Sequence, residues 1–408
     1  MKQIVAFDGD HIHAGNKGLS IDHAEVSRRV DALMEGMSIE DLLNQMRGLQ
    51  THTIDGLYYA GGDEDAGIPP FRMVDGPRGA RAGKATAFPV AIARGATFDV
   101  DLENRIGKAI GLEVLAKGGN VVLAPTINLL RHPGWGRAQE SYSEDPFHMG
   151  AMGVSFVSGA QNHVLASPKH FALNNQENTR FTMSANADER VLHEIYLPHF
   201  KRCVMEGAAA SVMSAYNKVN GTYCGESDLL LNDILRNEWR FSGFVESDWF
   251  LGTRSTAPAI KAGMDIEMPA AYRYSDQNIA QALVAGELTE GDLRACARRA
   301  IYQKLAWGLD KPAVTSTDVV ESKAHVDLAR EAAEKSMVLL KNKGGLLPLT
   351  DQAGLKIALV GNLASIANLG DRGSSFVESS AVTSPESGLR SYLKAAQIST
   401  FADLESLP

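Results

Sequence analysis

Six short apolar runs, each closing on polar or charged residues and separated by stretches of helical rhythm, constrain this chain more than any other feature. FRMVDGPRG closes its apolar run at Asp75, and VVLAPTINLLR spans 121–131. VLASPKH closes at Lys169 and His170, ASVMSAYN at Tyr216 and Asn217, GFVESDW at Asp248, and AGMDIEMP at Glu267. Between them, 99–117, 146–162, 188–206 and 227–238 carry helical patterns. Strands alternating with helices predict βαβ units and a parallel sheet.

The polar endings choose among parallel architectures. In an open doubly wound sheet only the strands beside the switch point carry functional groups at their C-terminal ends. In a (β/α)8 barrel all strand ends converge on one face, where the site lies. The pattern therefore predicts an α/β fold with a (β/α)8 TIM-like barrel over 21–310. A Gly- and His-rich stretch, 1–20, reads as a leader preceding it. Val26, Val30, Leu33 and Met37 predict a first helix, and Ser38 with Asp41 predicts a capping box opening a second, from Ile39 to about Met46. Thr289 and Asp292 cap a later helix that stops near Gly308.

KPAVTSTD, rich in Pro, Ser and Thr, marks a linker over 311–324. A second unit, 325–408, begins with a helix whose apolar face is Val326, Ala329, Ala333, Met337 and Leu340. KIALVGN (356–362) reads as a buried parallel strand, the only clear strand there, and opens no GxGxxG dinucleotide motif. This unit reads as an incomplete α/β domain.

Composition narrows the function classes. With 44% apolar residues, the 408-residue chain can bury a sizeable core. Forty basic against 49 acidic residues, a formal charge of −9, argue against a general nucleic-acid binder. Cys203, Cys224 and Cys296 are too far apart for a disulfide framework or a zinc pair. His11, His13, His23 and His52 lack ligand spacing, and no metal or cofactor is expected. The absence of a signal-peptide pattern and of a long apolar run predicts a cytoplasmic protein without a membrane partner. Met205, Met213 and Met264 read as core, and Cys203 and Cys296 as buried thiols.

Four segments carry candidate chemistry. Asp248, at the end of an apolar strand, is either a carboxylate able to form a covalent ester with an electrophilic carbon or the cap of a following helix. Trp249 can wall a pocket and stack on a sugar face. Lys169 and His170 open a loop dense in donors (Asn174, Asn175, Gln176, Glu177, Arg180) that suits a ligand with several hydroxyls. Lys169 alone can also be a Schiff-base lysine or the cation partner of a barrel carboxylate. In RHPGWGRAQESYSEDP, Arg137 can grip vicinal hydroxyls or a carboxylate, with Glu140, Glu144 and Asp145 holding Arg137 and Lys169; a surface ion-pair loop is the bland reading. Asp75 can accept two hydrogen bonds from neighbouring hydroxyls, or simply form the turn.

Taken together, FPVAIARGATFDVDL (88–102), GRAQESYSEDP, KHFALNNQE, SAYNKVNG and SDW resemble glycoside hydrolase family 3, in its β-glucosidase branch. The resemblance runs from about Met37 to Leu349. It implies a (β/α)8-like barrel followed by an α/β sandwich domain, and retaining hydrolysis of terminal β-D-glucosyl residues. On it, Asp248 is the nucleophile. Asp75, Arg137, Lys169 and His170 bind the hydroxyls of the terminal sugar, Tyr216 lies beside the nucleophile, and Trp249 sits at the rim. The loop KHFALNNQE departs from the KHFPGHG of the N-acetylglucosaminidase branch, which supports glucosidase or xylosidase action.

Retaining hydrolysis needs two carboxyls about 5–5.5 Å apart, one a nucleophile and one an acid/base. The nucleophile must stay ionised, and the nearby charges of Arg137 and Lys169 are expected to favour that. The family's acid/base glutamate belongs to the second domain. Glu378, Glu386 and Glu405 fall in no matching motif, so the acid/base is expected to be absent from this chain. The expected partner is a β-glucoside or oligosaccharide, with a homo-oligomer or a complementing C-terminal chain as further possibilities. The rival expectations are a catalytically incomplete sugar-binding or scaffold fragment, a β-xylosidase, and a barrel lyase using Lys169.

Overall fold

The computed structural model describes residues 22–311, 315–370 and 373–406. The expected leader, with His11 and His13, lies outside the described residues, as does part of the expected linker.

Six strands carry the barrel: β1 (Tyr58–Ala60), β2 (Phe71–Asp75), β3 (Val121–Leu123), β4 (Leu165–Ala166), β5 (Ser211–Met213) and β6 (Phe244–Glu246). β2, β3 and β4 pair in parallel, as do β5 and β6. Bridges close the ring. Phe171 pairs with Ser214, Glu246 with Ile266, and Glu267 with Arg47, all in parallel. Gly48 then pairs antiparallel with Ala60, and β1 runs antiparallel to β2. The result is an eight-stave barrel in which 47–49 and 266–267 supply the two short staves and β1 alone is reversed.

Alternation along the strands sorts the barrel interior into layers. Phe71 stacks on Phe244 with ring centroids 4.4 Å apart. Two residues on, Glu246 is fully buried and accepts the Ser167 hydroxyl. Two further on, the same strand positions present Asp75 and Asp248 at the mouth. β3 is buried at every residue, as expected for a parallel strand covered on both sides.

The outer helices form where their caps predict. Asp99 accepts the Leu102 N–H to start Val100–Ala116, and Ser38–Asp41 and Thr289–Asp292 are both complete capping boxes. Val100–Ala116 and Pro146–Ala160 pack backbone to backbone. A Cβ at Gly107 would stand 2.5 Å from the Phe156 carbonyl oxygen, so only glycine permits this approach.

The second unit departs from the sequence reading in three places. Its helix, Lys323–Ser336, stops short of Leu340, and Met337 and Leu340 are 73% and 91% exposed. Helical spacing of apolar residues was present, but past Ser336 nothing among the described residues covers that face. KIALVGN forms β7 (Lys356–Val360), parallel to a strand the reading missed, β8 (Gln397–Phe401). β7 is not buried: its residues alternate between exposed and half-buried, because this two-stranded pair is not sandwiched between helices among the described residues. The helix Lys323–Ser336 is tied to the barrel by Arg105–Glu331, Lys335–Asp99 and the contact of His325 Nδ1 with Glu113 at 2.7 Å. No described helix is long and apolar enough to cross a membrane.

Candidate active site

A cavity of about 570 Å³ opens at the C-terminal mouth of the barrel. Asp75, Arg137, Lys169, His170, Tyr216, Asp248 and Trp249, the seven residues to which the family resemblance gives a role, line it, whereas Asn174, Asn175 and Gln176 of the donor-rich loop do not. They arrive from five separate strand ends and the loops that follow them. Tyr58, Gly136, Gln139, Glu140, Glu177, Arg180, Met213, Gly373 and Ser374 complete the wall.

Asp248 follows β6 at the floor. Its Oδ1 accepts the Trp249 N–H at 2.8 Å, and its Oδ2 has no hydrogen-bond partner. It does not cap a helix, because the next one begins only at Ala257. Burial raises its pKa above the ordinary carboxylate value, while Arg137 and Lys169 pull the other way. The expectation that these cations control the carboxyl therefore needs amending: they act in the predicted sense, but dehydration outweighs them.

Arg137 is half-buried and its hydrogens are nearly all committed. Nε and Nη2 donate to the two oxygens of Glu140 at 3.0 and 2.8 Å, Nη2 also to Ser374 Oγ at 3.0 Å, and Nη1 to His170 Nε2 at 2.9 Å. A guanidinium has five N–H groups, so one remains for a ligand. This is a single donor rather than a free fork. Dehydration works against its charge, but Glu140 outweighs it and holds the Arg137 pKa above its usual value. Of the acidic residues expected to brace the cations, only Glu140 does so. Asp145 instead caps Pro146–Ala160 through the Phe147 and His148 N–H groups, and Glu144 does not line the cavity.

His170 is neutral: burial first, then Arg137 and Lys169, push its pKa well below the usual histidine value. Its tautomer follows from the network. Nε2 faces the Arg137 donor and must be bare, so Nδ1 carries the hydrogen and points to Asn128 Oδ1 at 3.2 Å. Asn128 also brackets the His170 backbone, accepting its N–H at 2.9 Å and donating to its carbonyl at 2.8 Å. The 3.6 Å approach of Nε2 to Asp248 Oδ2 is thus a dipolar contact and not an ion pair.

Asp75 lies between two cations, Lys169 Nζ at 3.4 Å and Arg81 Nη1 at 3.2 Å. Tyr216 donates its hydroxyl to the Trp249 carbonyl at 2.9 Å, which fixes the phenol against the Asp248 turn. Trp249 meets Tyr58 edge to face at 5.0 Å.

Some of this wall escaped the sequence reading. Met213, read as core, is buried yet lines the cavity. Arg180 and Glu177 were seen only as part of a polar loop. Here Glu177 accepts from Trp135 Nε1 at 3.0 Å and Arg180 at 2.7 Å, and Arg180 lies over the rings of Phe181 and Tyr216. Gly373 and Ser374 come from the second unit, where no motif pointed to them. Glu267, at a strand end, faces away: it accepts the N–H groups of Tyr272, Arg273 and Tyr274 and shapes their loop. Glu378, Glu386 and Glu405 do not line the cavity. No cluster of His, Cys, Asp and Glu able to hold a metal ion occurs among the described residues.

These features define a barrel protein with a small, polar, charge-lined mouth. The chain belongs to glycosyl hydrolase family 3: the family's N-terminal domain matches residues 19–302 and its C-terminal domain residues 337–405. It is 38% identical over 379 residues to a β-glucosidase of Rhizobium radiobacter, covering 90% of this chain and 45% of that protein. Among solved structures, β-glucosidase 3B from Thermotoga neapolitana in complex with α-D-glucose aligns with a TM-score of 0.84 at 33% identity, over 91% of this chain and 55% of that one. A β-glucosidase from Kluyveromyces marxianus in complex with glucose aligns with a TM-score of 0.83 at 34% identity, over 91% and 46%. The chain thus spans about half the length of the relatives it matches.

Proposed function

We propose that this chain supplies the sugar-binding wall and the nucleophile of a retaining β-glucosidase, an O-glycosyl hydrolase acting on terminal non-reducing β-D-glucosyl residues. One observation carries the reading: Asp248 lies in the same cavity as Asp75, Arg137, Lys169 and His170, a set of donors and acceptors suited to a ring bearing several hydroxyls. The names of the relatives and the glucose held by two of the neighbours support the same substrate class.

In the first step the Asp248 carboxylate bonds to the anomeric carbon. The bond from that carbon to the leaving oxygen breaks, and the oxygen takes up a proton. In the second step water attacks the anomeric carbon of the glycosyl ester, loses a proton and restores the carboxylate. Lys169 and the one free N–H of Arg137 donate to sugar hydroxyls, and Asp75 accepts from them. Neutral His170 holds Arg137 in place. Tyr216 stiffens the Asp248 turn, and Trp249 packs on the sugar at the rim. Among the described residues four carboxylates line the cavity, Asp75, Glu140, Glu177 and Asp248. Glu140 and Glu177 are committed to Arg137 and Arg180, so none is assigned as proton donor.

The test is a 2,4-dinitrophenyl 2-deoxy-2-fluoro-β-glucoside, whose good leaving group needs no protonation. Mass spectrometry of peptides should find one fluoroglucosyl group on Asp248, and none on Asp248→Asn. Labelling at another carboxylate, or none in a folded chain that binds glucose, overturns the assignment.

A further inference from the structure

Ser374 reaches the cavity from the second unit, and a carboxylate remote from the cavity holds the segment that delivers it. Residues 373–380 lie across the barrel loop 79–86. Val377 is fully buried there, so close that a Cβ on Gly79 would stand 3.3 Å from its Cγ2. The Ala85 N–H donates to the Glu378 carbonyl at 2.8 Å, and Lys84 and Glu378 form a parallel bridge.

Immediately beyond, Glu321 receives three hydrogen bonds from consecutive serines. Ser379 Oγ and the Ser380 N–H donate to Oε1 at 2.8 and 2.6 Å, and Ser380 Oγ to Oε2 at 2.6 Å. Glu321 adopts φ 51°, a conformation uncommon for a residue with a Cβ. Its own N–H donates to Glu113 Oε1 at 3.1 Å. Glu113 is buried on Val100–Ala116, and also accepts the Thr86 N–H at 3.0 Å and Thr86 Oγ1 at 2.6 Å and meets His325 Nδ1 at 2.7 Å. Glu113 therefore fastens both the loop beneath the segment and the turn that carries Glu321. Glu321 fastens the segment itself. At its other end Ser374 Oγ accepts from Arg137 and lies 3.5 Å from Glu140 Oε2.

We propose that Glu321 is a positioning residue of the cavity: by gripping Ser379 and Ser380 it fixes segment 373–380, and so sets where Ser374 meets Arg137 and Glu140. A hydrogen bond to a carboxylate is stronger and shorter than one between neutral groups, so this grip is well suited to registering one unit on another. Loss of the grip frees Ser374, and Arg137 keeps only Glu140 of the two partners of its Nη2. The inference rests on the cavity being a glucose site.

The experiment is a double-mutant cycle on the full chain, read by glucose calorimetry and by amide hydrogen exchange. Glu321→Ala and Ser374→Ala should each weaken glucose binding about tenfold, as expected for one lost hydrogen-bonding interaction. The double variant should be no weaker than either single one, because both changes act through Ser374. Glu321→Gln, which keeps one acceptor oxygen, should fall between wild type and Glu321→Ala. In both Glu321 variants the amides of 374–380 should exchange faster while those of β3 stay protected. Additive losses, or wild-type affinity in Glu321→Ala, overturn the proposal, as does unchanged exchange over 374–380 in Glu321→Gln. A folded wild-type chain that fails to bind glucose sinks the sugar-site reading instead, and the exchange experiment still decides whether the clamp exists.

Discussion

Arg137 donates through Nη1 to the bare Nε2 of His170 at 2.9 Å, so the imidazole serves as an acceptor for a half-buried cation. A protonated ring would have no lone pair there, and its charge would face that of the guanidinium. Burial and the same cations hold the histidine neutral. In this contact the neutral ring orients Arg137, and a proton on it would break the arrangement.

Glucose affinity should therefore be insensitive to His170 across pH 5.5–7.5, the range in which an ordinary histidine titrates. Calorimetry at the two limits, on wild type and His170→Gln, checks this. A tenfold weakening at pH 5.5 that disappears in His170→Gln would show that the ring does take up a proton. At either pH, His170→Phe should weaken binding about tenfold or more, since it leaves a part-buried donor of Arg137 without its partner.

Leaving-group dependence should be steep. Among the described residues the cavity carboxylates are either bound to cations or, as Asp248, proposed as the nucleophile, so departure is expected to rely on the leaving group's own acidity. Acid catalysis contributes about 10²–10⁴-fold. Aryl glucosides with acidic phenols should be cleaved slowly, and alkyl glucosides and cellobiose more slowly still by about that factor. Steady-state rates over a series of phenol pKa values measure the slope. A flat series with fast turnover of cellobiose would reveal a proton donor on the chain.

Glu246 should impose a pH dependence on stability. Burial pushes its pKa to about 8, against partial relief from the Ser167 hydroxyl. A carboxyl raised in the folded state binds more protons there than in the unfolded chain, between its ordinary value and about 8. Its contribution is thus full below the ordinary carboxylate range and is lost as pH rises to about 8. Glu246→Gln mimics the protonated acid and should flatten the decline of Tm between pH 5 and 8, with the largest gain over wild type at the alkaline end. Parallel Tm curves for the two proteins would show that Glu246 is ionised in the fold.

Much of this was legible in the chain because it is local. Apolar runs that close on a polar residue placed Asp75 and Asp248 at the C-terminal ends of their strands. Ser38 and Thr289 announced helix starts, because a cap is written within four residues. The exposed strand β7 and the early end at Ser336 were misread for a related reason: apolar periodicity states which face seeks cover, and says nothing of whether a neighbour supplies it. Glu144 and Asp145 were assigned to cations by proximity in sequence. The backbone turned Asp145 toward the free N–H groups of its own helix instead.

By itself, then, the sequence determined the alternation of strands and helices, the carboxylates at the strand ends, the donor-rich loops and the family, since all are properties of neighbouring residues. Only the tertiary structure decided that β1 runs backwards, that Arg137 keeps a single free N–H, that His170 is neutral, and that Ser374 enters the barrel mouth. Each of these depends on which groups meet across tens to hundreds of residues, and on how much water burial removes when they do.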